Sequence, residues 1–67
     1  MKMKQYDIFE LSKDLNPIIK KGKRGVVLQI YNDGIFEVEF VNDEGLNIEY
    51  DGRSTFTIDL SFIKMYE

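Results

Sequence analysis

The chain is 67 residues long, with 43% hydrophobic and 13% aromatic residues, 9 Lys or Arg against 12 Asp or Glu, and neither cysteine nor histidine. These numbers exclude disulfides, thiolate and imidazole metal sites, iron–sulfur ligation and any Ser/His or Cys/His nucleophilic pair. They describe one small domain, residues 1–67, whose single core buries roughly 60% of the unfolded chain's surface.

In chain order, residues 6–11 read as a strand. Residues 12–19 have a possible helix cap in Ser12, but Pro17 denies any helix length, so a long connection is expected. Lys20-Lys21-Gly22-Lys23-Arg24 follows as a basic turn. Residues 25–31 return to a strand pattern, with Val26-Val27-Leu28 apolar on both faces, as in a strongly bent strand or one with a bulge beside Gly25. Asn32-Asp33-Gly34 is the strongest hairpin signal in the chain. Residues 35–41 alternate strictly, Phe36, Val38 and Phe40 on the core side and Glu37 and Glu39 outward. Asn42-Asp43-Glu44-Gly45 reads as a type I turn with Gly45 in the left-handed position. Residues 46–50 alternate again, with Leu46, Ile48 and Tyr50 inward, and Asp51-Gly52 makes a further reversal. Phe56 and Ile58 point inward from a last strand. Asp59-Leu60-Ser61-Phe62-Ile63 then has the spacing of one 3₁₀ turn, Leu60 and Ile63 inward. Five short strands, a long first connection and a terminal 3₁₀ turn predict an all-β fold, a five-stranded SH3-like barrel. A five-stranded OB-fold needs a helix between its third and fourth strands, and there is no room for one.

The stretch GKRGVVLQIYNDGIFEVEF, residues 22–40, resembles the segment shared by a family of small bacterial proteins, domain-of-unknown-function family 4926. Tyr6-Asp7-Ile8, Leu11-Ser12-Lys13-Asp14-Leu15 and Asp59-Leu60 resemble other pieces of that family, and Glu37-Val38-Glu39-Phe40 is the most specific match. The chain departs from it at Lys23-Arg24, where an acidic residue is more usual after the glycine. The resemblance implies a small barrel related to the KOW element of transcription and ribosomal proteins and to the barrel of nitrile hydratase subunits. It also implies an antitoxin-like or immunity-like role beside neighbouring toxin-like genes.

The charges are polarised. Residues 18–31 sum to +4 and residues 32–52 to −7, while residues 1–17 and 53–67 are each neutral. Lys20, Lys21, Lys23 and Arg24 are therefore candidates for nucleic-acid phosphates, with salt-dependent affinity. The neighbouring acids oppose that approach within a Debye length of about 8–10 Å, and a sequence pI near 4.8 is unlike a dedicated nucleic-acid binder. The acidic block offers Glu37, Glu39, Glu49 and Asp51, with Tyr50 alongside, as contacts for a protein partner with a basic surface. The same carboxylates also serve to keep strand edges from aggregating. The block lacks the ligand spacing of an EF-hand, so neither a metal nor a cofactor is expected. Tyr6, Tyr31, Tyr50 and Tyr66 offer an aromatic surface, but the loop over residues 12–22 has no aromatic, which argues against a proline-peptide groove.

No apolar run nears the roughly 18 residues that span a bilayer, and Asp7 and Glu10 interrupt the start of the chain where a leader would be apolar. The expectation is a soluble, cytoplasmic, non-catalytic protein of bacterial or phage origin that binds the product of a neighbouring gene, with self-association possible in principle. The alternative is a KOW-like nucleic-acid accessory module.

Overall fold

A computed structural model of the chain describes residues 3–32 and 34–64; Asp33 and Tyr66 of the reading above lie outside the described residues. Four strands, β1 (Ile8–Glu10), β2 (Arg24–Asn32), β3 (Ile35–Phe40) and β4 (Phe56–Asp59), form an antiparallel sheet in the order β1-β2-β3-β4. A 3₁₀ turn, Leu60–Phe62, follows β4.

β3 takes the predicted register. Phe36, Val38 and Phe40 are buried, and Glu37 and Glu39 lie on the other face. Phe56 and Ile58 are buried from β4. The Phe40 ring meets Phe9 edge-on at 5.7 Å and Phe56 at 5.8 Å, an aromatic row across the core. Leu11, Val27, Ile19 and Ile63 complete the buried set, with Ile48, Tyr50 and Phe62 packed against it.

β2 accounts for the doubly apolar run. Its pairing with β3 slips between Val27 and Gln29 and again between Ile30 and Asn32, so Leu28 and Tyr31 are the extra residues. Each slip bends the strand and re-aims its side chains. The bulge thus falls at Leu28, not beside Gly25. Gly25 serves another purpose: it lies opposite Phe9, whose ring folds over it. A Cβ there would sit 2.7 Å from a Phe9 ring carbon and 2.9 Å from the Glu39 carbonyl oxygen.

The expected fifth strand, residues 46–50, does not form. Val41 bridges Asn47, and Ile48 N–H donates to Phe40 O at 2.8 Å, so the chain starts back along β3 as a hairpin should. A continuous ladder would then set Val38 opposite Tyr50. Instead Val38 lies opposite Phe56, six positions further on. The return and β4 occupy the same edge of β3, one after the other, with an excursion between them. Within it, Tyr50 and Arg53 exchange N–H···O bonds of 2.9 and 3.0 Å around Asp51 and Gly52, both at positive φ. One interrupted edge strand therefore stands where the alternation suggested two.

Two inward assignments are also corrected. Leu46 is 61% exposed, because Asn42 Oδ1 accepts from its N–H and draws it into the turn. Leu60 is 44% exposed, because the 3₁₀ turn, capped by Asp59 Oδ1 accepting from Ser61 N–H, aims Ile63 inward instead.

After that turn the chain returns to β1. Ile63 bridges Leu11, Lys64 N–H donates to Glu10 O, Ser12 N–H donates to Phe62 O, and Lys64 Nζ pairs with Glu10 at 3.7 Å. The outer edge of β1 is thereby covered at its Glu10 end. The long connection over residues 12–23 contains no helix. Asn16 precedes Pro17, which disfavours helical backbone there, and its Oδ1 accepts from both Ile18 and Ile19 N–H. That turn inserts Ile19, fully buried, into the core.

Candidate functional site

The structure collects the basic residues. Lys23 N–H donates to Lys20 O at 3.0 Å, with Gly22 at φ +93° between them, so Lys20-Lys21-Gly22-Lys23 is a tight turn. Asp14 Oδ1 accepts from Lys21 N–H and Leu11 O accepts from Gly22 N–H, which pin the turn to the loop and to β1. Lys20, Lys21, Lys23 and Arg24 line an open depression of about 680 Å³ together with Ile18, Val41, Asn42 and Asp43. Among the described residues none of these four cations forms an ion pair. The N–H groups of Lys21, Gly22 and Lys23 are already used, so the depression attracts anions mainly through its side-chain charges.

The acidic residues are divided. Glu37, at the centre of the outward sheet face, accepts from Thr57 Oγ1 at 2.6 Å and from the Tyr31 hydroxyl at 3.3 Å, tying β2, β3 and β4 together. Partial burial pushes its carboxyl up, but the hydrogen bonds from Thr57, Thr55 and Tyr31 and the charge of Arg53 outweigh it and hold the group below its ordinary value. Tyr31 responds in the opposite sense. Its hydroxyl is raised by desolvation, by the Glu37 charge and by its hydrogen bond to Glu37. Glu39 lies opposite Val26, which lies opposite Ile8, giving one outward row across three strands. Ile8 is 71% exposed in that row.

Glu49, Tyr50 and Asp51 are elsewhere. They stand on the excursion, Glu49 and Asp51 exposed and Tyr50 half-buried against the core. Glu49 was expected on a strand beside Glu39; the interruption of that strand at Ile48 removes the shared face. The tyrosines do not assemble either. Tyr31 is bonded to Glu37, Tyr50 packs inward, and Tyr6 stands 67% exposed at φ +71° ahead of β1. Among the described residues the ring pairs are between phenylalanines.

Sequence reasoning missed the exposed Ile8 and the Lys13 ammonium, 4.4 Å above the Phe62 ring. Ile8 had a signal. It neighbours the inward Phe9 on a period-two strand, so it had to face outward. Among the described residues no group of three or more acidic, His or Cys side chains is placed to hold a metal ion, and no helix is long and apolar enough to cross a membrane.

No curated protein and no solved structure matches the chain. A family described as "Domain of unknown function (DUF4926)" matches residues 5–50. That range runs from the turn before β1 through β2 and β3 to Tyr50, and it contains both the basic depression and Glu37-Val38-Glu39-Phe40. β4 and the 3₁₀ turn, with Asp59-Leu60, lie beyond it. Since the match spans more than half of the chain, this protein belongs to the DUF4926 family.

Proposed function

We propose that the chain is a non-catalytic, SH3-like small barrel that binds a partner protein, an antitoxin-like, immunity-like or accessory protein acting on the product of a neighbouring gene in a bacterial cytoplasm. The return of residues 62–64 to β1 supports the barrel reading. The observation that carries the binding reading is the outward row of Ile8, Val26 and Glu39, where an isoleucine 71% exposed lies two strands from a carboxylate. A large apolar side chain exposed on the same sheet face as a carboxylate suits a partner that offers an apolar contact ringed by lysine or arginine. Glu37 and Glu39 are the central contacts in this reading. Glu49, Asp51 and Tyr50 extend them along the excursion.

The test mixes the purified chain with the product of the adjacent gene at low salt. A complex is expected by size-exclusion chromatography, and none forming removes the reading. Glu39→Lys is expected to slow association and Ile8→Ser to speed dissociation, because surface charge steers encounter whereas buried apolar contact holds the bound state.

A second reading, nucleic-acid binding, is favoured by the four cations around the depression and their lack of ion pairs among the described residues. It predicts retention of a mixed nucleic-acid pool at about 50 mM salt and a steep loss of affinity as salt rises. No shift at low salt would end it.

A further inference from the structure

The sheet has two edges, and they are treated differently. The outer edge of β1 is covered at its Glu10 end by Ile63 and Lys64. β4 is the last strand in the order β1-β2-β3-β4, and its register with β3, from Ile35↔Asp59 to Val38↔Phe56, runs without a slip. Which backbone groups of β4 are used follows from alternation. Phe40 O accepts from Ile48 N–H and Gly34 O accepts from Leu60 N–H, so even-numbered residues of β3 face the β4 side. Their partners Phe56 and Ile58 therefore face β3, and Thr55, Thr57 and Asp59 turn their N–H and C=O groups away from the sheet. Among the described residues no backbone partner meets those of Thr55 and Thr57, while Asp59, the N-cap of the 3₁₀ turn, gives its C=O to that turn. Thr57 and Asp59 are exposed.

Exposed strand edges are usually blunted by lysine, proline or a bulge. Residues 54–59, Ser-Thr-Phe-Thr-Ile-Asp, contain no lysine and no proline, and β4 has no bulge. Its short length and the exposed Asp59 at its end are the remaining protection.

We propose that this edge pairs antiparallel with the same edge of a second copy of the chain, about a two-fold axis at Thr57. Thr57 of each copy then exchanges N–H···O bonds with Thr57 of the other, and Thr55 of each lies opposite Asp59 of the other. The pairing sets no like charges opposite one another and places threonine against threonine, a favourable cross-strand pair. The edge also carries opposite charges at its two ends, Arg53 before it and Asp59 at its close. An antiparallel copy brings each Asp59 towards the Arg53 end of its partner, which favours the copy over an arbitrary extended peptide. Phe56 and Ile58 stay in their own cores, so the two sheets join without repacking. Association of this kind is a common support for chains of this size. The pairing does not depend on the partner-protein reading.

Sedimentation velocity across a concentration series, with amide hydrogen exchange on the same samples, tests it. The full chain is expected to approach twice its 7.9 kDa mass as concentration rises. The Thr57 amide is expected to gain at least tenfold protection over the same range, while the Phe56 and Ile58 amides stay protected throughout. Thr57→Pro removes an edge donor without touching the β3 ladder and is expected to give a folded monomer. Thr57→Lys gives the same result should the proline variant not fold. Thr57→Val, which lacks the hydroxyl but keeps the N–H, is expected to remain dimeric. A monomer at every concentration, a Thr57 amide that exchanges freely throughout, a dimeric Thr57→Lys or a monomeric Thr57→Val would each overturn the proposal.

Discussion

The basic turn and the acidic excursion are both polar reversals, yet the fold treats them oppositely. Lys20, Lys21 and Lys23 lie on one tight turn anchored at both flanks, Arg24 opens β2 directly after it, and their charges converge on one depression. The acids from Glu37 to Asp51 are spread over a strand, a turn and an excursion. One of them, Glu37, is consumed in hydrogen bonds that fasten three strands. Clustering in sequence became clustering in space only where the backbone reverses within four residues. Where the chain ran along an edge and left it, the same density of charge was scattered.

The largest effect expected concerns the frame that both regions hang from. Phe40 is fully buried between Phe9 and Phe56, and Phe40→Ala is expected to cost about 3–5 kcal/mol in urea unfolding, close to the whole stability of so small a domain. A barely destabilised variant would break the assigned register and, with it, the outward placement of Glu37 and Glu39.

Gly25→Ala is expected to follow, at about 1–3 kcal/mol, because a Cβ there overlaps the Phe9 ring and the Glu39 carbonyl. Gly25 is the residue after the basic cluster, so its variant tests whether that cluster rests on the close approach of β1 and β2. A matching Gly22→Ala acts through the positive φ alone, since nothing lies within reach of a Cβ. Its cost is expected to be about 1 kcal/mol.

The pH dependence sharpens the acidic side. Glu37 is held below its ordinary value of 4.5 in the folded chain. Its contribution is therefore present above that value and is lost as pH falls through the lower folded one. Tyr31 is raised above 10.0, so its contribution is present below that value and is lost as pH rises through the higher folded one. Glu37→Gln is expected to flatten the acid limb of stability against pH and to bring the Tyr31 titration back towards its ordinary value, followed by tyrosinate absorbance.

The smallest effect expected is at Leu46. The variant Leu46→Ser is expected to stay within about 0.5 kcal/mol of the parent in urea unfolding, because the side chain is 61% exposed. A loss of several kcal/mol would restore it to the core and reinstate a fifth strand.

Much of this was legible along the chain. Alternation over residues 35–41 named the buried face of β3, and Phe56 and Ile58 followed by the same rule. Gly34, Gly45 and Gly52 all take positive φ at the reversals where turn chemistry placed them, and the 3₁₀ turn, Leu60–Phe62, falls within the stretch 59–63 expected for it. The errors came where two segments compete for one partner. Residues 46–50 carry a valid strand pattern, but β3 has one edge to offer on that side, and β4 occupies most of it. Ile19 was illegible for a related reason. Its burial is set by the Asn16 turn and by a core assembled from strands distant in sequence.

The sequence by itself determined the all-β class, the reversals, the inward face of β3 and the absence of thiol and imidazole chemistry, because periodicity, turn residues and composition are local quantities. Only the tertiary structure decided that the four cations share a depression while Glu37 and Glu39 part from Glu49 and Asp51. It also decided that one sheet edge is covered at its end while the other, among the described residues, is open. Those outcomes depend on which segment wins each strand edge, a competition between residues far apart in the chain that no local pattern records.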